Sequence, residues 1–154
     1  MTKILITNEN KLKEKHKKDH ELYEYKQYQV TPRSDFAQAF VSFYEIPPKK
    51  YSYPYHYHMN NTEVFYIIEG NGIIETKEGK FLVKEGDVIV CPPKEEGGHR
   101  LYNSGDINLK YLDVDTTNSP DIIKYPHSNK VGVIIHNQSS DFYFDDKVDY
   151  YEGE

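Results

Sequence analysis

From Phe36 onward, apolar and polar positions alternate with a period of two in short runs. FAQAFVSFYEI (36–46) reads as a strand, and Pro47-Pro48 ends it. YPYHYH (53–58) is a second strand, broken at Met59 to Asn61 before TEVFYII (62–68) resumes. Gly70-Asn71-Gly72 contains an Asn-Gly hairpin signal, and GIIETKEGKFLV predicts another hairpin around Lys77 to Lys80. Glu85-Gly86-Asp87 turns the chain into DVIVC. The loop PPKEEGG leads into HRLYN, and Asn103 to Asp106 turn it again into INLKYLDV. Short strands at near-regular spacing, with almost no helical period, predict an all-β antiparallel sandwich or barrel. Before them lies a charged arm in which only Leu12 to Tyr23 could form a short helix. After them, VGVIIHNQ predicts an edge strand, and the chain closes on acidic, aromatic DFYFDDKVDYYEGE. The expected organisation is an N-terminal arm (1–35), a barrel core (36–118) and a C-terminal arm (119–154). The tyrosines of the last arm favour docking on the barrel or a partner subunit over free solvation.

Composition narrows this picture. A chain of 154 residues is long enough to bury one sizeable core. Its formal charge of −6 argues against nucleic acid and anionic membrane as partners. The basic run KLKEKHKKDH (11–20) lacks interleaved aromatics and reads as a solvated face. The one cysteine, Cys91, permits no intrachain disulfide, and the opening MTKILITNEN has too few apolar residues for a signal or membrane segment. Cytoplasmic residence is the expectation. Fifteen tyrosines against no tryptophan lean further towards β structure, with hydroxyls that need partners inside.

The chemistry concentrates in YPYHYHMNNTEVFYIIEG (53–70). In an extended chain His56 and His58 share a face. Glu63 lies an odd number of positions from His58, so a single strand would turn it away; a turn at Met59 to Asn61 resets the count. Two imidazoles and a carboxylate aimed into one space suggest a metal site. His16 and His20 have i, i+4 spacing but lack the HExxH glutamate and read as solvated, and His127 and His136 read as surface groups.

Two stretches carry a wider pattern: His56-x-His58, Glu63 and Gly70, then Gly86-Asp87, Pro92, His99 and Asn103. This resembles the cupin superfamily, whose two motifs hold these residues in this order, fifteen residues apart. Lys50 stands where the first motif has a leading glycine, and PPKEEGGH is longer than the common loop. PYHYH, the PP…EGGH loop, YLDV, SPDIIKYP and VGV together are similar to a group of small bacterial cupins without a settled function. The resemblance implies a double-stranded β-helix (jelly-roll, cupin) barrel and four metal ligands, His56, His58, Glu63 and His99. Three imidazoles and one carboxylate suit one divalent transition metal (Fe, Mn, Zn, Ni or Co) and leave coordination positions open.

By alternation, Phe65, Ile67, Leu101 and Asn103 should line the lumen, with Tyr111 or Asp113 as candidate bases and Arg100 outside. That describes an apolar cavity for a small neutral or carboxylate-bearing molecule rather than a sugar phosphate. The opposite face would expose Tyr51, Tyr53, Tyr55 and Tyr57 together with Val64, Tyr66 and Ile68, a surface suited to a homodimer. Two functions remain open: a metal-dependent enzyme of dioxygenase, isomerase or lyase type, and a non-catalytic module that binds a small ligand through its metal.

Overall fold

The computed structural model describes residues 4–32, 38–135 and 138–153. Among these residues there is no α-helix, and two 3-10 turns (Glu9–Lys11 and Glu95–Gly97) interrupt the strands. The strands are β1 (Glu14–Lys17), β2 (Tyr25–Gln29), β3 (Ala39–Ile46), β4 (Tyr57–His58), β5 (Glu63–Glu69), β6 (Asn71–Thr76) and β7 (Gly79–Lys84). They continue with β8 (Val88–Cys91), β9 (His99–Asn103), β10 (Leu109–Thr116), β11 (Asp121–Tyr125), β12 (Lys130–Ile135) and β13 (Gln138–Tyr143). One sheet runs β1-β2-β3-β10-β5-β8, a second β13-β12-β11-β4, and a third β7-β6-β9. All named pairings are antiparallel.

Alternation along the central strands builds the core. β3 buries Phe40, Ser42, Tyr44 and Ile46, and β10 buries Leu109, Tyr111 and Asp113. Phe65 and Ile67 on β5 and Leu101 on β9 meet them from the other strands. Gly70 ends β5 at φ 86°, and a Cβ there would lie 2.7 Å from the Asn108 carbonyl oxygen, so the turn has room for no side chain. Asn103 is fully buried but holds the chain together rather than facing a ligand. Its amide donates to the carbonyls of Ile46 and Ile107, and its oxygen accepts from Gly105 N–H.

Both ends of the chain are more ordered than the pattern predicts. The helix expected over Leu12 to Tyr23 does not form; β1 and β2 instead extend the large sheet through β3. A period-two signal is present in YEYKQYQ, but the surrounding lysines mask it. β2 inserts Tyr25 and Gln27 into the core, where the Gln27 amide donates to the Tyr44 hydroxyl at 2.7 Å. The row of outward tyrosines is likewise corrected: none of Tyr51, Tyr53, Tyr55 and Tyr57 is exposed. Tyr53 packs on Tyr25 and shares a hydroxyl hydrogen bond with Tyr44 (2.9 Å), and Tyr51 lies between Tyr23 and Tyr102. Tyr55 stacks on His127. The expected strand exterior is therefore covered within the chain, because residues 51–56 run as an irregular crossing rather than a sheet edge. Tyr66 does face outward beside Val88 and Val90 (45%, 61% and 60% exposed). At the other end Tyr150 and Tyr151 are exposed. The strand expected to begin at Phe36 is described from Ala39, and Phe36 and His136 lie outside the described residues.

Candidate metal centre

His56 and His99 sit opposite one another in an isolated antiparallel bridge, closed by N–H···O bonds of 3.1 and 3.0 Å. His58, two residues on, lies at the end of β4 and faces the same way. The chain then turns through Asn60 and Asn61 into a different sheet, and Glu63 opens β5 from the opposing wall. The turn resets the alternation as the odd spacing requires.

Each imidazole is held by its outer nitrogen. His56 Nδ1 donates to the Pro54 carbonyl at 2.8 Å, and His99 Nδ1 donates to the Gly97 carbonyl at 2.8 Å. His58 Nδ1 donates to Asp121 Oδ2 at 2.5 Å. Carbonyl oxygens only accept, so the Nδ1 protons of His56 and His99 are fixed and their Nε2 lone pairs are free. The Nε2 atoms of His56, His58 and His99 lie 3.6, 3.7 and 3.3 Å from Glu63 carboxylate oxygens. Within this group His56, His58 and Glu63 each offer a donor atom within 4.8 Å of the others.

The electrostatics suit a cation. Burial opposes charge on Glu63, but His99, His56 and His58 around it outweigh that and hold its carboxyl far below the usual carboxylate range. Burial lowers the His99 pKa and keeps its imidazole neutral and able to bind a metal. For His58 burial acts in the same direction, but the hydrogen bond to Asp121 prevails and raises its pKa. A bound metal would displace that proton from the Nε2 side. A donor set of three imidazole Nε2 atoms and one carboxylate fits a divalent transition ion.

Sequence reasoning missed Asp121. It is fully buried on β11, sixty-three residues from His58, and also accepts from Asn60 N–H (2.9 Å) and Asn61 Nδ2 (2.8 Å). One carboxylate thus orients a histidine and pins the turn that carries the chain to Glu63. The signal was Asp next to Pro in SPDIIKYP, which marks a turn but says nothing of its distant partner. The long loop is also explained. Its 3-10 turn places the Gly97 carbonyl under His99, and a Cβ on Gly97 would come within 1.7 Å of the Pro92 carbonyl oxygen.

Beside His56, Glu63 and His99 lies a space of about 260 Å³, counting its mouth open to solvent. Phe65 and Leu101 line it as expected, with Tyr111 and Asp113 from the next strand, and so do Ser52 and Tyr53, which were not expected there. Ile67 is fully buried in the core, and Asn103 serves the turn described above. The interior is more polar than alternation implied because the irregular crossing brings Ser52 and Tyr53 inward. Arg100 carries the guanidinium among the lining residues, and that group is committed to Glu75 (2.8 Å) and to the face of Tyr51. Cys91 sits beside Glu63 in the register, buried, its thiol pushed up first by burial. His16, on exposed β1, pairs with Glu24 outside this cluster.

A family model described as "Cupin domain" matches residues 42–115, the span from β3 to β10 that includes every histidine and carboxylate of the cluster except Asp121. The barrel is a cupin. Among curated proteins, this cupin is 42% identical over 57 residues to the uncharacterized protein MJ1618 of Methanocaldococcus jannaschii. The match takes in 37% of this chain and 44% of that protein, so the cupin spans less than half the length of its relative. Its fold is shared by a sugar phosphate isomerase of the cupin superfamily from Silicibacter pomeroyi (TM-score 0.79, 16% identity, 93% of this chain and 95% of that one). It is shared also by a predicted oxalate decarboxylase from Thermotoga maritima (TM-score 0.65, 18% identity, 74% and 100%). At these identities the likeness is one of fold. Among the described residues, no helix is long and apolar enough to cross a membrane.

Proposed function

We propose that this cupin is a metal-dependent enzyme acting on a small organic molecule held in the barrel. His56, His58, Glu63 and His99 would hold one divalent transition metal. The observation that carries this reading is the convergence of three Nε2 atoms on one ionised carboxylate, with every Nδ1 already bonded. Such a metal supplies Lewis-acid polarisation of a bound oxygen, or oxygen activation if it is iron. The chain's own residues orient the donors, and Phe65, Tyr53 and Leu101 crowd the space beside them, which favours a small ligand. A phosphate would need a free guanidinium or ammonium, and Arg100 is engaged elsewhere. This favours a small neutral or carboxylate-bearing substrate in a cytoplasmic setting.

A second reading, a non-catalytic binding module, is favoured by Asp113. Burial first, then Asp115 and Glu63, push its carboxyl well above the usual range, so it already holds its proton and cannot take one from a substrate. Elemental analysis of purified protein and of His58→Ala, followed by turnover and oxygen-uptake assays on small acids and catechols, separates the two. One metal per chain with turnover lost in the variant supports the enzyme. Ligand-induced stabilisation without turnover supports the module, and absence of metal after reconstitution overturns both. For assembly, the exposed Tyr66, Val88 and Val90 on the large sheet favour a homodimer through that face. A monomer in sedimentation at micromolar concentration would refute it.

A further inference from the structure

The floor of the cavity holds an unsolved hydrogen-bonding problem. Asp113 lies on β10, paired in register with Phe65, and is 4% exposed. It lines the same cavity as His56, Glu63 and His99. Its Oδ1 has no hydrogen-bond partner, and neither has Oδ1 of Asp115, its neighbour on the same face of β10. Other buried polar side chains close by are satisfied: Tyr53 and Tyr44 bond each other, and Gln27 bonds Tyr44. A buried carboxyl oxygen without a partner costs about 1–3 kcal/mol, so its retention beside an open cavity points to a partner that arrives with the ligand. Asp113 and Asp115 lie close enough to share one proton, and with that proton between their other oxygens Asp113 Oδ1 can only accept, so a ligand that meets it brings a donor.

We propose that Asp113 is a specificity-determining residue that accepts a hydrogen bond from a hydroxyl on a small metal-chelating ligand, so that the site selects hydroxy acids or hydroxyketones over their deoxy counterparts. The proposal rests on the metal reading above. The lining residues suit such a molecule. Its oxygens match the metal side, and it needs no cation from the protein, whose Arg100 is already paired with Glu75. A neutral hydroxyl also avoids adding charge next to Glu63, Asp113 and Asp115.

The test loads the full chain with Co(II), whose visible absorption reports on its ligands, and titrates the protein with lactate and with propionate. Wild type is expected to prefer lactate, both because lactate chelates Co(II) and because Asp113 accepts from its hydroxyl; the Asp113 share is about tenfold, the order of one hydrogen bond of about 1.4 kcal/mol. Asp113→Leu should take up Co(II) normally yet lose about tenfold of that preference. Asp113→Asn, which retains an acceptor oxygen, should keep most of the preference. Where Asp113→Leu fails to fold, Asp113→Ala carries the same comparison, and a wild type with no preference for lactate overturns the proposal outright. An undiminished preference in a folded Asp113→Leu does the same. Failure of wild type to take up Co(II) removes the metal reading itself, a result that the colourless protein would show before any acid is added.

Discussion

The two sides of the cavity are built to opposite rules. On the histidine side every imidazole has its outer nitrogen bonded, to Pro54, Asp121 or Gly97, and no freedom is left in the rings. On the β10 side Asp113 and Asp115 each leave an oxygen unpartnered, alone among the buried side-chain polar atoms of the described residues. A satisfied shell fixes donors in advance, which is what a metal site requires. An unsatisfied one stores a demand that only an incoming molecule can meet. The contrast separates what holds from what selects.

The largest effect should come from removing a donor. His56→Ala or His99→Ala is expected to lower metal affinity by more than about a hundredfold, measured by competition with a chromogenic chelator. Circular dichroism should show the barrel still folded, because Gly70 and the apolar strands hold it independently. Unfolding of both variants would mean that the histidines serve the fold.

Next comes the support of a donor. Asp121→Asn keeps the shape but weakens the bond to His58, and should cost about ten- to a hundredfold in metal affinity. The wild-type uptake of metal should fall as pH drops below the neutral range, since Asp121 raises the His58 pKa above the free-histidine value of about 6.5. In Asp121→Asn that loss should begin at lower pH. Identical profiles for the two proteins would show that Asp121 does not tune His58.

Gly97→Ala follows. Its Cβ would strike the Pro92 carbonyl at 1.7 Å, so the loop must shift and carry the His99 anchor with it. A loss of about 1–3 kcal/mol in denaturant unfolding is expected, with weaker metal binding. An unchanged protein would mean that the loop has slack.

The smallest effect lies on the unsatisfied side. Burial, followed by the Glu63 charge, pushes the Asp115 carboxyl up to about 7 from its ordinary 3.8. The folded protein then holds a proton that the unfolded chain has released, so this group's contribution is intact below pH 3.8 and is lost as pH rises towards 7. Asp115→Asn should accordingly raise the Tm of metal-free protein at pH 8 more than at pH 5. Equal shifts at both values would contradict a proton shared on that floor.

Much of this was visible in the order of residues. Alternation in β3, β5 and β10 is strong because one face of each strand is buried, and the glycine turns punctuate it. The histidines and Glu63 were legible because their spacing straddles a turn. What escaped were relations that no local pattern encodes. Asp121 reaches His58 across sixty-three positions, and β2 hides its alternation among lysines. Tyr53 turned inward because residues 51–56 cross between sheets, where a two-residue period no longer tells inside from outside.

The bond between Asp121 and His58 also sets an order of events during synthesis. His56, His58 and Glu63 leave the ribosome early and close together, whereas the carboxylate that locks His58 arrives only with β11. Until that segment is made, β4 lacks its sheet neighbour and His58 lacks the carboxylate that accepts from its Nδ1. The centre is therefore finished by the last quarter of the chain, and translation to that point precedes a fully shaped site.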